Sequence, residues 1–216
     1  MKDESGIVLG IELSSRQGSV ALLKDGALLA EKTWIGEHVR HGVLFQVLEN
    51  LLSEAGVAYR DISLYAAGRG PGSFSGMRMS FAVAQALALP GQTEVRAVSS
   101  GAALALAVAR ETGVRQIAVV GDARRGQVWY GLFETMTNGI VELADEWKLV
   151  PYEKVTVPAG TLVVSPEAER LKGLFPDIGN PQFPLAQQVA ELSLMQSEPL
   201  EPLYMHPPVF VEPKFG

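Results

Sequence analysis

The sequence contains no cysteine among its 216 residues. That excludes a disulfide framework, a thiolate nucleophile and any cysteine-based metal site. Histidine is scarce: only His38, His41 and His206 occur. His38 and His41 fit one helix face, but two ligands do not make a metal site, so no metal is expected and both read as surface residues at a helix start. No uninterrupted apolar run reaches about 18 residues, so no membrane-spanning helix is expected. The opening MKDESGIVLGIEL is acidic, and its apolar run is short for a secretory signal. The expected location is therefore the cytoplasm. Basic charge is in the minority, with 18 Lys and Arg against 24 Asp and Glu, a net charge of -6 and a pI near 5.2. A general nucleic-acid binder normally has a basic face; here at most a local patch remains.

What is present is a large apolar fraction, 47%, enough for a packed core. Ile7 to Ile11 reads as a buried strand. Ser19 to Leu23 and Ala27 to Trp34 flank Lys24-Asp25-Gly26, a hairpin signal. From His38 to Ala55 the period becomes helical, with Gly56 as a stop. A strand at 64 to 67 follows, then the loop GRGPGSFSGMRMS, residues 68 to 80, and a helix over 75 to 89 ended by Pro90-Gly91. A second lobe is predicted to begin near residue 100. It has a helix over 102 to 111, a strand over 116 to 122, strands at 128 to 133 and 140 to 149, and a short helix over 185 to 194. The tail from 176 on holds eight of the 13 prolines. Strand, Glu12, Arg16, Gly18, strand is weakly repeated as strand, Asp122, Arg124, Arg125, Gly126, strand. The boundaries drawn are 1–98 for the first lobe and 99–216 for a smaller second one, whose tail could pack back on the first.

The glycine loop fails the familiar templates. A Walker loop needs Lys after its last glycine, and Met77 follows Gly76. The dinucleotide spacing breaks at Ser73 or at Ser75. A hydrolase elbow needs a central serine, and Phe74 stands there. What is left is the start of a helix, whose free N–H groups attract anions. Ser73 or Ser75 can cap it. The alternative is a tight strand-to-helix turn stiffened by Pro71. Arg69, Arg78, Arg124 and Arg125 flank turns that would face each other across the two lobes. They could bind phosphate or a partner's carboxylates, or be scattered surface charge. Ser73, Ser75, Arg78, Asp122 and Arg124 are thus the candidate anion, nucleotide or partner contacts; no catalytic residue is named.

The helix after the loop is apolar on nearly every face, which normally means burial on every side. Ser80, Ala84 and Ala88 lie four apart and would let another helix approach closely. Val43, Val47, Leu51, Met77, Phe81, Ala84 and Ala88 are the expected association surface, unless the second lobe covers them.

Taken together, GRGPGSFSGMR, VLGIELSSRQGSVALLKDG, DARRGQVWYGLF, EHVRHGVLFQVLENLLSEAGV and EPLYMHPP resemble the signature segments of the TsaB (formerly YeaZ) family. The likeness runs through most of residues 6 to 135. It implies an α/β, two-lobe actin-like ATPase fold with a reduced second lobe that has largely lost its own catalysis and serves as a non-catalytic subunit. It also implies a TsaD-like catalytic subunit, a TsaE-like ATPase, homodimers when the chain is alone, and tRNA reached through the complex. ATP and a divalent metal would be used by the partners, with no cofactor bound strongly by this chain. Departures are Glu12 for the usual Asp, Ser75 for Thr, Ser80 for Gly, and Tyr204-Met205-His206 for Tyr-Leu-Arg. The alternatives are an autonomous actin-like ATPase or kinase and a glycopeptidase-like peptidase.

Overall fold

A computed structural model describes residues 6–36, 41–136, 139 and 141–206. The first sheet comprises β1 (Ile7–Glu12), β2 (Gln17–Lys24), β3 (Ala27–Ile35), β4 (Ile62–Gly68) and β5 (Glu94–Val98), in the order β3-β2-β1-β4-β5. The first three run antiparallel, and β4 and β5 join in parallel. Asp25 and Gly26 turn the β2–β3 hairpin with positive φ at both residues, the twist that tight hairpins favour. The second sheet holds β6 (Gln116–Arg124), β7 (Gln127–Thr135), β8 (Val141–Leu143), β9 (Lys148–Pro151) and β10 (Leu162–Val164). The single strand expected at 140 to 149 is two, both pairing with β7. This is the actin-like α/β class, with each sheet opening on an antiparallel hairpin and a parallel strand added beside it.

Strand alternation divides the core. Leu9, Ile11, Val20, Leu22, Tyr65 and Ala67 point to one face of the first sheet and pack on α1 (His41–Ala55) and α2 (Phe74–Ala88). Val8, Leu23, Leu64 and Ala66 point to the other, against α3 (Ser100–Thr112) and α5 (Ala186–Met195). α3 also packs on Ile117, Val119 and Phe133 and on α5, so α3 and α5 together form the layer between the sheets. The far face of the second sheet is covered by α4 (Ala168–Leu171) and by Phe175 and Ile178.

The C-terminal helix α5 lies on the first sheet. Its N-cap residue, Leu185, offers no side-chain acceptor. Instead the Ala186 N–H donates to Ser19 Oγ at 2.8 Å and the Gln187 N–H to Glu31 Oε1 at 3.1 Å, both from the sheet beneath. Orphan N–H groups at a helix start need such partners. Gly10 makes the approach possible, because a Cβ there would strike the Ala186 carbonyl.

Candidate functional site

The loops after β1 and β4, the end of β6 and the first turn of α2 face one another across a cleft of about 1340 Å³. Ser73, Ser75, Arg78, Asp122 and Arg124 all line it. Five of the chain's arginines stand in its wall, Arg16, Arg78, Arg124, Arg125 and Arg170, against Asp122, Glu167 and Glu169. Arg16, Arg124 and Arg170 are paired with those three carboxylates, which leaves the wall a small excess of positive charge.

On the first-lobe side, Ser73 caps α2: its Oγ accepts the Gly76 N–H at 3.2 Å. Ser75 is exposed, 3.4 Å from Ser73 through their hydroxyls. The Arg78 guanidinium lies 5.3 Å from the centre of the Phe74 ring.

The glycines of the loop are explained by the protein itself. A Cβ at Gly72 would strike the Ser14 carbonyl, one at Gly76 the Leu13 carbonyl, one at Gly70 the Met77 sulfur, and one at Gly68 the Glu12 carboxylate. Gly70 and Gly72 also have φ of 96° and 156°, which side-chain-bearing residues rarely adopt. The space a phosphate cradle would leave open is filled by the turn after β1, and the Ser73 N–H is spent on the Ser14 carbonyl at 2.7 Å.

On the second-lobe side, Asp122 Oδ1 accepts from the Arg124 N–H at 2.8 Å and from the Tyr152 hydroxyl at 2.9 Å. Its Oδ2 faces Arg124 at 2.7 Å and Arg170 at 3.6 Å. Burial pushes the carboxyl upward, but the Arg124 N–H, the Tyr152 hydroxyl and the two guanidinium charges outweigh it and hold the pKa below the ordinary value. Glu167 accepts the Asp122 N–H at 2.9 Å, and burial first, then Asp122, raise its pKa against the pull of that N–H and the two arginines. The turn beyond, Arg124-Arg125-Gly126, has positive φ at all three residues. For arginine this conformation costs roughly 1–2 kcal/mol per residue, so the turn is fixed by the hairpin rather than by local preference.

Two sequence expectations need correction. Arg69 is not on the cleft: its side chain is buried and pairs with Glu198 at 3.1 Å. The expected association stripe faces inward: Met77, Phe81, Ala84 and Ala88 on α2 and Leu51 on α1 are buried in the chain's own core. Val43 and Val47 are half-buried. Four-residue spacing defines a stripe but not the side it faces, and the small residues serve close packing on the sheet. The outer stripe is Phe74, Arg78, Ala82, Gln85, Ala86 and Leu89, with Phe74 58% and Leu89 77% exposed. The polar residues at 75, 78 and 85 were the signal for it. His38 lies outside the described residues. Phe74, Tyr204, Tyr152, Glu167 and Arg170 were missed as site residues; Tyr204 stood in the quoted EPLY segment and Phe74 in the loop itself.

Among the described residues no cluster of three or more His, Asp or Glu is placed to hold a metal, and no helix is long and apolar enough to cross a membrane.

The model of the family described as "TsaD: tRNA N6-adenosine threonylcarbamoyltransferase" matches residues 38–164. The chain is 32% identical over 134 residues to the tRNA threonylcarbamoyladenosine biosynthesis protein TsaB of Escherichia coli K12, covering 62% of this chain and 57% of that protein. It is 33% identical over 137 residues to the Bacillus subtilis 168 protein of the same name, covering 62% and 58%. These matches span less than two thirds of the relatives' length. The solved YeaZ from Pseudomonas aeruginosa superposes with a TM-score of 0.79 at 28% identity, over 92% of this chain and 99% of that one.

Proposed function

This chain belongs to the TsaB (YeaZ) family, and from that premise we propose that it is a non-catalytic accessory subunit in the synthesis of threonylcarbamoyladenosine in tRNA. In this reading it pairs with a TsaD-like catalytic subunit. A TsaE-like ATPase joins the pair, tRNA is reached through the complex, and the chain dimerises with itself when alone. ATP and a divalent metal are used by the partners.

The observation that carries the proposal is the outer face of α2. A helix already packed on its sheet through Phe81, Val83, Ala84 and Ala88 still presents Phe74, Ala82, Ala86 and, at its C-cap, Leu89 to solvent. α1, in the same apolar cluster, presents Phe45. Large exposed side chains flanking small ones suit a helix-to-helix contact, and about 800 Å² on each side is ordinary for a specific pair. The loop supports the non-catalytic part of the reading. Its glycines are taken up by contacts to Leu13, Ser14, Met77 and Glu12, which is what a helix-positioning turn requires.

The test pairs two substitutions. Ala86→Arg leaves the core alone and strands a charge in the proposed seam, which costs several kcal/mol and lowers affinity for the TsaD-like subunit about a hundredfold. Ala84→Arg, aimed at the inner stripe, unfolds the chain. Co-purification and circular dichroism read both, and nucleoside analysis of tRNA from depleted cells reads the pathway. Normal pairing by folded Ala86→Arg protein removes α2 from the interface; unchanged modified nucleoside after depletion removes the function.

A further inference from the structure

After α5 the chain turns back along the first lobe and crosses to the second. The Glu198 N–H donates to the Ala97 carbonyl at 2.9 Å. Its Oε1 accepts the Ser99 N–H at 2.8 Å, and its Oε2 lies 3.1 Å from Arg69 Nη1. Ser99 caps α3, one of the two helices between the sheets. Arg69 Nε donates to the Glu201 carbonyl at 3.0 Å, and the Arg69 carbonyl accepts the Leu203 N–H at 2.7 Å. Farther on, the Tyr204 ring stacks on Phe74 with centroids 5.0 Å apart, and His206 Nε2 donates to the Ala123 carbonyl at 2.8 Å. Nine residues thus touch the end of β4, the cap of α3, the first turn of α2 and the end of β6.

The two ends are held unequally. At the near end the Arg69 side chain is only 8% exposed and has lost its water to Glu198 and Glu201. A buried guanidinium deprived of its partner is strongly unfavourable, so this end is an anchor. At the far end the holding falls to a ring stack between two exposed aromatics, one hydrogen bond and the half-buried Met205 side chain against the core. Releasing these contacts strands no buried charge, so this end is the one that can let go.

We propose that residues 198–206 form a strap that couples the outer face of α2 to the separation of the two lobes. Phe74 is the shared element: it belongs to the exposed stripe of α2, and Tyr204 and Arg78 both lie against its ring. A body that claims Phe74 frees Tyr204, the His206 tie to β6 goes with it, and the cleft widens. Coupling is reciprocal, so whatever fixes Tyr204 and His206 from the cleft changes affinity at α2. That α2 receives a partner rests on the function proposed above; the strap itself does not.

The absence of cysteine makes the test direct. Asn50→Cys on α1 and Lys154→Cys in the second lobe, both at exposed positions outside the cleft, take spin labels for pulsed electron–electron distance measurement on the full chain. Tyr204→Ala should lengthen and broaden the inter-lobe distance beyond replicate error. Phe74→Ala should give the same shift without any partner, because it removes the other half of the stack. An unchanged distribution in folded Tyr204→Ala protein overturns the strap. A shift with Tyr204→Ala and none with Phe74→Ala overturns the coupling to α2. Glu198→Gln, which loosens the anchor, should exceed both; if it does not fold, the two aromatic variants still decide. Co-purification with the TsaD-like subunit, done separately, judges the docking surface without touching this result.

Discussion

Glu12 and Asp122 stand in matching places, each an acid close to the turn of the hairpin that opens its lobe, and their surroundings are opposite. Glu12 is completely buried. Its Oε1 accepts the Ser14 N–H, while Oε2 reaches no partner in hydrogen-bond geometry among the described residues, although the Ser100 and Ser14 hydroxyls lie alongside. Burial pushes its pKa up, against the smaller pull of those hydroxyls and the Ser14 N–H. Asp122 instead meets two guanidinium groups, a phenol and a backbone N–H, and its pKa is held down. A repeated hairpin has therefore put one acid to structural use and turned the other toward the cleft. The difference comes from what surrounds each group: no ion pair reaches Glu12 among the described residues, and its longer side chain folds under Gly68.

The harshest way to break the comparison is at the closed end. Gly68→Val pushes a branched side chain into the space of the Glu12 carboxylate. Overpacking of a filled core costs about 3 kcal/mol at the upper end of its usual range. The urea midpoint should fall steeply with little change in slope. A midpoint like the parent's means that Glu12 swings clear and is not boxed in.

The hairpin equivalence itself was legible, because strand, acid, turn and arginine are short-range features. So were the β2–β3 turn at Asp25-Gly26, the helix after the glycine loop and the helix near 185 to 194. What could not be read was anything decided by long-range packing. Burial separates Glu12 from Asp122, yet both follow buried strands in similar local sequence. The small-residue stripe of α2 was visible and its direction was not, since a sheet welcomes alanines as readily as a second helix does. Ser73, Ser75, Arg78, Asp122 and Arg124 do meet in one cleft, but Arg69, read the same way, is pulled inside by Glu198, some 130 residues along the chain. That partner sits in a proline-rich tail with no periodicity to announce it.

A milder change opens the other end. Asp122→Asn keeps the shape and removes the charge that Arg124, Arg170 and the Tyr152 hydroxyl share. Hydrogen bonds to a charged group contribute about 1.5–3 kcal/mol. Because Arg124 and Arg170 are half exposed, solvent screens the pair, and about 1–2 kcal/mol is expected. For a chain of this size that lowers the melting temperature by a few degrees. An unchanged melting temperature means that Glu167 and water take over Asp122's role completely.

The smallest effect at any single pH is the most informative as a slope. Glu12 has a folded pKa above the ordinary 4.5, so its contribution to stability is fully present below about that pH and is lost as pH rises through the folded value. Glu12→Gln cannot ionise and escapes that loss. Its melting temperature, taken relative to the parent, should therefore rise from acid toward neutral pH. Asp122 has a folded pKa below the ordinary 3.8, so its contribution is present above that value and is lost as pH falls through the folded one. Asp122→Asn, relative to the parent, should accordingly be worst at neutral pH and recover in acid. Two neutralising substitutions at equivalent positions thus give slopes of opposite sign. The measurement is a set of thermal melts of the parent and both variants between acid and neutral pH in one buffer series. A flat line for Glu12→Gln would mean that the Glu12 carboxylate reaches water, and parallel lines would erase the distinction between a closed first hairpin and an open second one.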